Sequence, residues 1–267
     1  MVNYIEKIIE KRKTSIFWYS ISLLLLIILY VSLYPSLSKS SGVYIKLIKS
    51  MPSAFKSAFG FSNLLNFTLL NFLSTEYLSL LFLVILIFFT ISFASSQISG
   101  EIENKTIGVI LSLPLSRIKI YLSKYIVGVI GIIILSIFGV ISIVPVAVIM
   151  NIKVSSESVY LISLIAFLFS LATLSIGFCI SSIFSKKGLS NTISVIIFLI
   201  MYIANIRSSV DIHLKFLRYI SFFYYYNVNN IITHNHISYL SVSVFLDVFI
   251  FFSLLGMFIF YKRDIEL

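Results

Sequence analysis

The stretch ENKTIGVILSLPLSRIKIYLSK, residues 103–124, separates two long apolar runs and is itself studded with charge. Glu103, Lys105, Arg117, Lys119 and Lys124, with a Pro-Leu-Ser-Arg break at 114–117, cannot enter a soluble core. Flanked by apolar runs, such a segment belongs at a membrane surface. The runs on either side are then spans, and an element this polar is more than a connecting loop.

Outward from this stretch the composition agrees. Of 267 residues, 59% are hydrophobic and 11% charged, with a mean hydropathy of +1.07; soluble domains carry about 25% charged residues. The chain reads as an all-α polytopic membrane protein. In a soluble protein a net charge of +10 would suggest nucleic acid. Here lysines and arginines flanking spans explain it, so membrane lipid is the expected partner and nucleic acid is not. Cys179 is the only cysteine and lies in an apolar run, so no intrachain disulfide forms.

Six transmembrane helices are predicted, near residues 16–33, 77–95, 121–150, 159–182, 189–206 and 239–261. The third is long enough to tilt, and Pro145 offers a kink. Trp18, Tyr19, Tyr77, Tyr121, Tyr160, Tyr239 and Tyr261 mark span ends as an interfacial belt would. With the N-terminus inside, twelve lysines and arginines fall on the inner side and eight on the outer. The twelve crowd against span ends, where they count most, which places both termini in the cytoplasm of a multi-pass cell-membrane protein. Residues 11–38 exceed the apolar length of a secretory signal and precede five more spans, so they read as a span. A single transmembrane domain, 1–267, results, with a cytoplasmic interfacial helix at 1–15, external segments at 34–76 and 207–238, and a cytoplasmic segment at 96–120.

Two surface elements stand out. Over residues 4–13, Ile5, Ile8 and Ile9 share a helical face opposite Glu6, Lys7, Glu10 and Lys11, as in a helix lying on the bilayer before it turns into the first span. After the second span, Ile98, Ile102, Thr106, Val109, Ile110 and Leu113 fall on one face of a helix; Glu101, Asn104, Lys105, Gly108 and Ser112 fall on the other. Pro114 breaks that helix and Ser116 is placed to cap the next. The apolar face suits a partner protein and an interfacial anchor equally well.

Residues 103–124 resemble the signature of type-2 ATP-binding cassette (ABC) transporter permeases. In that family an acidic residue, a Gly-Thr pair, a short apolar stretch and Pro-x-Ser-Arg precede a lysine-capped span. The matching positions are Glu101, Glu103, Thr106, Leu111, Pro114, Ser116, Arg117 and Lys124, with Lys105 standing where glycine is usual. MPSAFKSAFGF at 51–61, STEYL at 74–78 and the closing YKRDIEL at 261–267 resemble the subgroup that includes nitrous-oxide-reductase maturation permeases. The resemblance implies an exporter permease coupled to a separate ABC ATP-binding subunit. It also implies a second permease chain, as a homodimer or with a related permease. Glu101, Glu103, Thr106, Pro114, Ser116 and Arg117 would form the coupling helix, a mechanical role with no catalytic residue. ATP and Mg would be bound by the partner.

No Gly-x4-Gly-Lys-Ser/Thr phosphate loop occurs in the chain, so ATP hydrolysis is not expected from it. No protease or metalloprotease motif and no clustered carboxylates occur within a span. Asp247 is the one acid well inside a span, either a pathway residue or an acid hydrogen-bonded near Ser241, Ser243 or a neighbouring helix. His234 and His236 with the nearby asparagines lack the further ligands of a metal site, so none is expected. Phe222 to Tyr226 reads as an outer-interface cluster, and Gly128, Gly131 and Gly139 as positions of close helix approach. Lys39, Lys46, Lys49 and Lys56 give the first external segment a basic face. The rival reading of another class is a secondary transporter or channel-like protein that needs no ATPase and uses Asp247; a third is a membrane anchor or assembly factor.

Overall fold

The computed structural model describes residues 1–39, 42, 46, 48, 50–52 and 67–264, and every regular element among them is a helix. Among the described residues six helices are long and apolar enough to cross a membrane: Val2–Lys39, Leu81–Glu103, Arg117–Ile149, Ser156–Ile183, Lys187–Val210 and Tyr239–Lys262. They match the six expected spans in number and order and extend most of them by a turn or more. Residues 53–61 of the 51–61 stretch, among them Lys56, together with Lys49 and the closing residues 265–267, lie outside the described residues.

The interfacial helix expected at 1–15 is not a separate element. Val2–Lys39 is one helix, because no glycine or proline interrupts the chain before Pro35 and so nothing makes it turn. Its apolar face is turned inward: Ile8 is buried, and Tyr4, Ile5 and Ile9 pack against the core.

The fourth span is the hub. It packs most extensively on the sixth, then on the second, and also touches the third and fifth. Its run SLATLSIGFCISS keeps side chains small where neighbours press closest. A Cβ on Gly177 would lie 3.0 Å from the Ala94 methyl of the second span. The hydroxyls that such small residues bring inside are paired: Thr173 with Thr90 at 3.2 Å, Ser175 with Tyr125 at 2.6 Å, and Ser181 with Ser99 at 2.8 Å. Pairing is needed, since an unsatisfied hydroxyl in a membrane interior has no water to turn to.

The third span changes register on the way. It is α-helical over Arg117–Ser136, widens to a π turn at Ile137–Ile141, and resumes at Ile143–Ile149. Pro145, which lacks an N–H, sits just after the turn, where the ladder is already interrupted. The turn exposes the Gly139 carbonyl, and the Tyr77 hydroxyl donates to it at 3.0 Å.

Tyr77 and Tyr121 are therefore core residues and not belt markers, both essentially without exposure. The Tyr121 hydroxyl occupies the space that Gly256 leaves open, and the Tyr77 hydroxyl is tied to the Gly139 carbonyl. Tyr160, Tyr239 and Tyr261 do stand exposed at span ends, while Trp18 is exposed midway along the first helix. The 222–226 cluster also differs from expectation. Phe222, Tyr225 and Tyr226 are buried, because the short helix Phe222–Tyr225 sets the Phe222 and Tyr225 rings against Phe245 and Tyr226 packs at a tilt against Phe169. Gly128 and Gly131 admit neighbours within the same chain, Leu174 and Phe93 at the first and Phe89 at the second. Between the second and fifth spans an apolar groove of about 280 Å³ is lined by Val84, Phe88, Val195, Phe198 and Leu199.

Candidate functional site

Three things meet at the end of the bundle that carries both termini: the segment joining spans two and three, the turn joining spans four and five, and the close of span six. The joining segment is not the single helix that periodicity suggested. It comprises Ser99–Glu103, continuing the second span, and Ile107–Leu111, with a break between them. The break is a Schellman closure: Thr106 N–H bonds Glu101 O at 3.0 Å, Lys105 N–H bonds Ile102 O at 3.0 Å, and Lys105 sits at φ 56°. That conformation favours glycine, so a lysine there carries a backbone cost. Lys105→Gly should raise stability by up to about 1 kcal/mol, the relief of left-handed strain less the entropy of an added glycine. A thermal-unfolding comparison in detergent checks it; a lower midpoint would contradict it.

The break rotates the two halves relative to each other, so a helical wheel drawn through 98–113 misplaces the faces. Glu101, expected on the polar face, is buried at 7% exposure, while Val109, on the apolar face expected to meet a partner or the interface, is 72% exposed. Leu113 is also exposed. Pro114 sits in a tight turn closed by Leu115 N–H to Leu113 O at 2.7 Å. Ser116 then caps the third span, its Oγ accepting from Lys119 N–H at 3.4 Å. The Thr106 hydroxyl donates to Glu101 O at 3.3 Å, doubling the backbone bond that closes the break.

Glu101 forms an ion pair with Lys124, which has no exposed surface. Lys124 Nζ also donates to Gln97 O at 2.6 Å. Tyr4 and Arg12 of the first span lie within electrostatic reach of Glu101, and the Arg12 guanidinium stands 5.9 Å over the Phe93 ring. Phe93, Gln97 and Glu101 are spaced four apart, so one stripe of the second span faces spans one and three.

The remaining charges hold helix ends. Glu103 Oε2 accepts from Lys187 N–H at 2.8 Å, the first residue of the fifth span, which has no side-chain cap from its own N-cap residue. A carboxylate at a helix N-terminus gains from both the unpaired N–H and the dipole, about 0.3–1 kcal/mol. Arg117 Nη1 donates to Arg263 O at 2.6 Å and Tyr261 O at 3.2 Å, at the C-terminus of the sixth span. Arg263 in turn donates from Nη1 to Ser182 O at 2.7 Å and Phe184 O at 3.3 Å, and from Nη2 to Ser185 Oγ at 2.5 Å, at the C-terminus of the fourth. Burial draws the Arg263 pKa down from the usual arginine value, yet a guanidinium stays charged at any physiological pH.

The structure thus brings Glu101, Glu103, Thr106, Pro114, Ser116 and Arg117 into one element. Lys124, Lys187 and Arg263 complete it as partners that sequence reasoning had not assigned. The one available signal was Lys124 itself, a lysine two helical turns past the Ser116 cap and followed by an apolar run. Asp247 is elsewhere, on the exposed face of the sixth span; Ser243 turns its hydroxyl to Leu240 O. His234 and His236 have ring centroids 6.2 Å apart, and no group of three metal-ligating side chains occurs among the described residues.

Six membrane-length helices among the described residues, tied together at one end by a charged element, define a multi-pass membrane protein. The chain belongs to the family described as ABC-2 family transporter protein, whose profile matches residues 5–264. No curated protein matches it in sequence. It is accordingly the permease subunit of an ABC transporter, a family in which a partner ATP-binding subunit hydrolyses ATP.

Proposed function

We propose that this permease is an exporter subunit of the cell membrane, with both termini cytoplasmic, and that residues 99–117 form its coupling element. Closure of the ATPase dimer, driven by ATP and Mg bound there, moves this element and changes which side of the bundle is open. Two permease chains with two ATPases make the working assembly, and the motifs at 74–78 and 261–264 align the chain with the nitrous-oxide-reductase maturation subgroup.

One observation carries the coupling assignment. The segment is anchored by Glu101, Glu103 and Arg117 to spans three, five and six, while Val109 and Leu113 point away from the bundle. A rigid element fixed on one side and apolar on the other suits a docking partner better than a loop does. Affinity purification of the tagged chain from mild detergent tests this. A stoichiometric ATPase subunit should co-purify. Glu103→Ala and Arg117→Ala should each lower its recovery about tenfold, equivalent to about 1.4 kcal/mol of binding, with membrane insertion unchanged. Undiminished recovery in both variants would refute the assignment. A clean assembly without ATPase would favour the secondary-transporter reading, for which the observation is Asp247, a carboxylate exposed within a span.

A further inference from the structure

A coupling element joined only to its own two spans would move spans two and three and leave the others to follow by packing. The hydrogen bonds at the terminal end give it further connections. Arg117 holds the close of span six through the carbonyls of Tyr261 and Arg263. Arg263 then reaches across to span four. The same residue accepts from the element through its backbone and donates to the hub helix through its side chain.

We propose that Arg263 is a positioning residue that passes movement of the coupling element from the end of the sixth span to the end of the fourth. This rests on the coupling reading above. Its chemistry suits the task. The bonds to Ser182 O, Phe184 O and Ser185 Oγ use both terminal nitrogens of one planar fork, so the guanidinium fixes an orientation as well as a distance. Lysine would supply the charge without the fork. Two of the acceptors, the Ser182 and Phe184 carbonyls, close the helix and lack intrahelical donors, so they take an external cation readily. The partner helix is the one that packs against spans two, three, five and six. A displacement delivered there reaches the whole bundle, because a packed helix moves as a body. Glu103 makes the corresponding link to the fifth span through Lys187 N–H, so each span beyond the element's own two, save the first, is held by a charged side chain or by Arg263.

The test uses the full complex with its ATPase in lipid nanodiscs. Cys179 is buried, so an environment-sensitive thiol label reports from introduced cysteines. One goes at exposed Asn104 on the element, away from the apolar face of Val109 and Leu113, the other at exposed Tyr160 near the far end of span four. ATP–Mg with vanadate should shift the emission of both labels in the otherwise native chain. In Arg263→Gln the Asn104 response should persist and the Tyr160 response should be lost; Arg263→Lys should restore only part of it. An undiminished Tyr160 response in Arg263→Gln would overturn the proposal, as would a native complex in which Asn104 responds and Tyr160 does not. If Arg263→Gln fails to assemble, Arg263→Lys decides: a Tyr160 response of native size overturns the link and a reduced one supports it. Silence at Asn104 in the native complex would overturn the coupling reading itself, and this link with it.

Discussion

Lys124→Met is expected to destabilise the protein by about 3–5 kcal/mol, since it strands a buried carboxylate. Glu101 is 7% exposed and Lys124 is its ion-pair partner. Removing the lysine also takes a donor from Gln97 O. Arg12 softens the loss, since it lies within electrostatic reach of Glu101 and its Nε has no hydrogen-bond partner. The lower half of the range is therefore the expected outcome. Glu101→Gln should cost less, because an amide oxygen still accepts from Lys124. The combined Glu101→Leu, Lys124→Met variant should recover most of the loss, as apolar replacement of a buried pair is often neutral. A thermal-unfolding series in detergent, read as a double-mutant cycle, separates these cases. The single variant should shift the midpoint by on the order of 10 °C. If the double variant proved no better than Lys124→Met, burial of an unpaired charge would not be the cause.

The six spans were legible because each is set by a local property, a long apolar run bounded by charge. The N-terminal helix was misread for a reason equally local. An amphipathic pattern tells which side is apolar but not whether bilayer or protein covers it, and in Ile8 the answer is protein. The segment joining spans two and three differs for another reason. Its wheel assumed one helix through residue 105, and a lysine gives no warning of a left-handed residue that a glycine would have signalled. Once the break is placed, Glu101 moves inward while Val109 keeps an exposed apolar face. The links to Lys124, Lys187 and Arg263 join residues 23, 84 and 146 positions apart. No periodicity connects such pairs; packing alone brings them together. Tyr77 and Tyr121 show the same limit, since a tyrosine at a span end looks like a belt residue until a carbonyl or a glycine of a neighbouring span receives its hydroxyl.

Gly256→Ala is expected to push the sixth span off the fourth, at about 1–3 kcal/mol, the usual cost of overpacking. A Cβ there would stand 2.6 Å from Tyr121 Oη, 2.9 Å from Cys179 Cα and 3.1 Å from Cys179 N. The tyrosine hydroxyl can swing away, but the backbone of the hub helix cannot. At Gly139 the crowding atoms belong to the Phe82 ring and the Leu23 side chain, which can yield. Gly256→Ala should therefore lower the unfolding midpoint more than Gly139→Ala, and the reverse order would show that side-chain rather than backbone approach limits the packing. A functional consequence follows from position. Arg263 lies two helical turns beyond Gly256 and Ser182 one turn beyond Cys179, on spans running the same way, so a spacer at Gly256 levers open the gap that the Arg263 fork bridges. Gly256→Ala should lose stability and the nucleotide response at Tyr160 together, whereas Arg263→Gln should lose the response with the midpoint nearly unchanged. That contrast separates a contact that holds the bundle together from one that moves it.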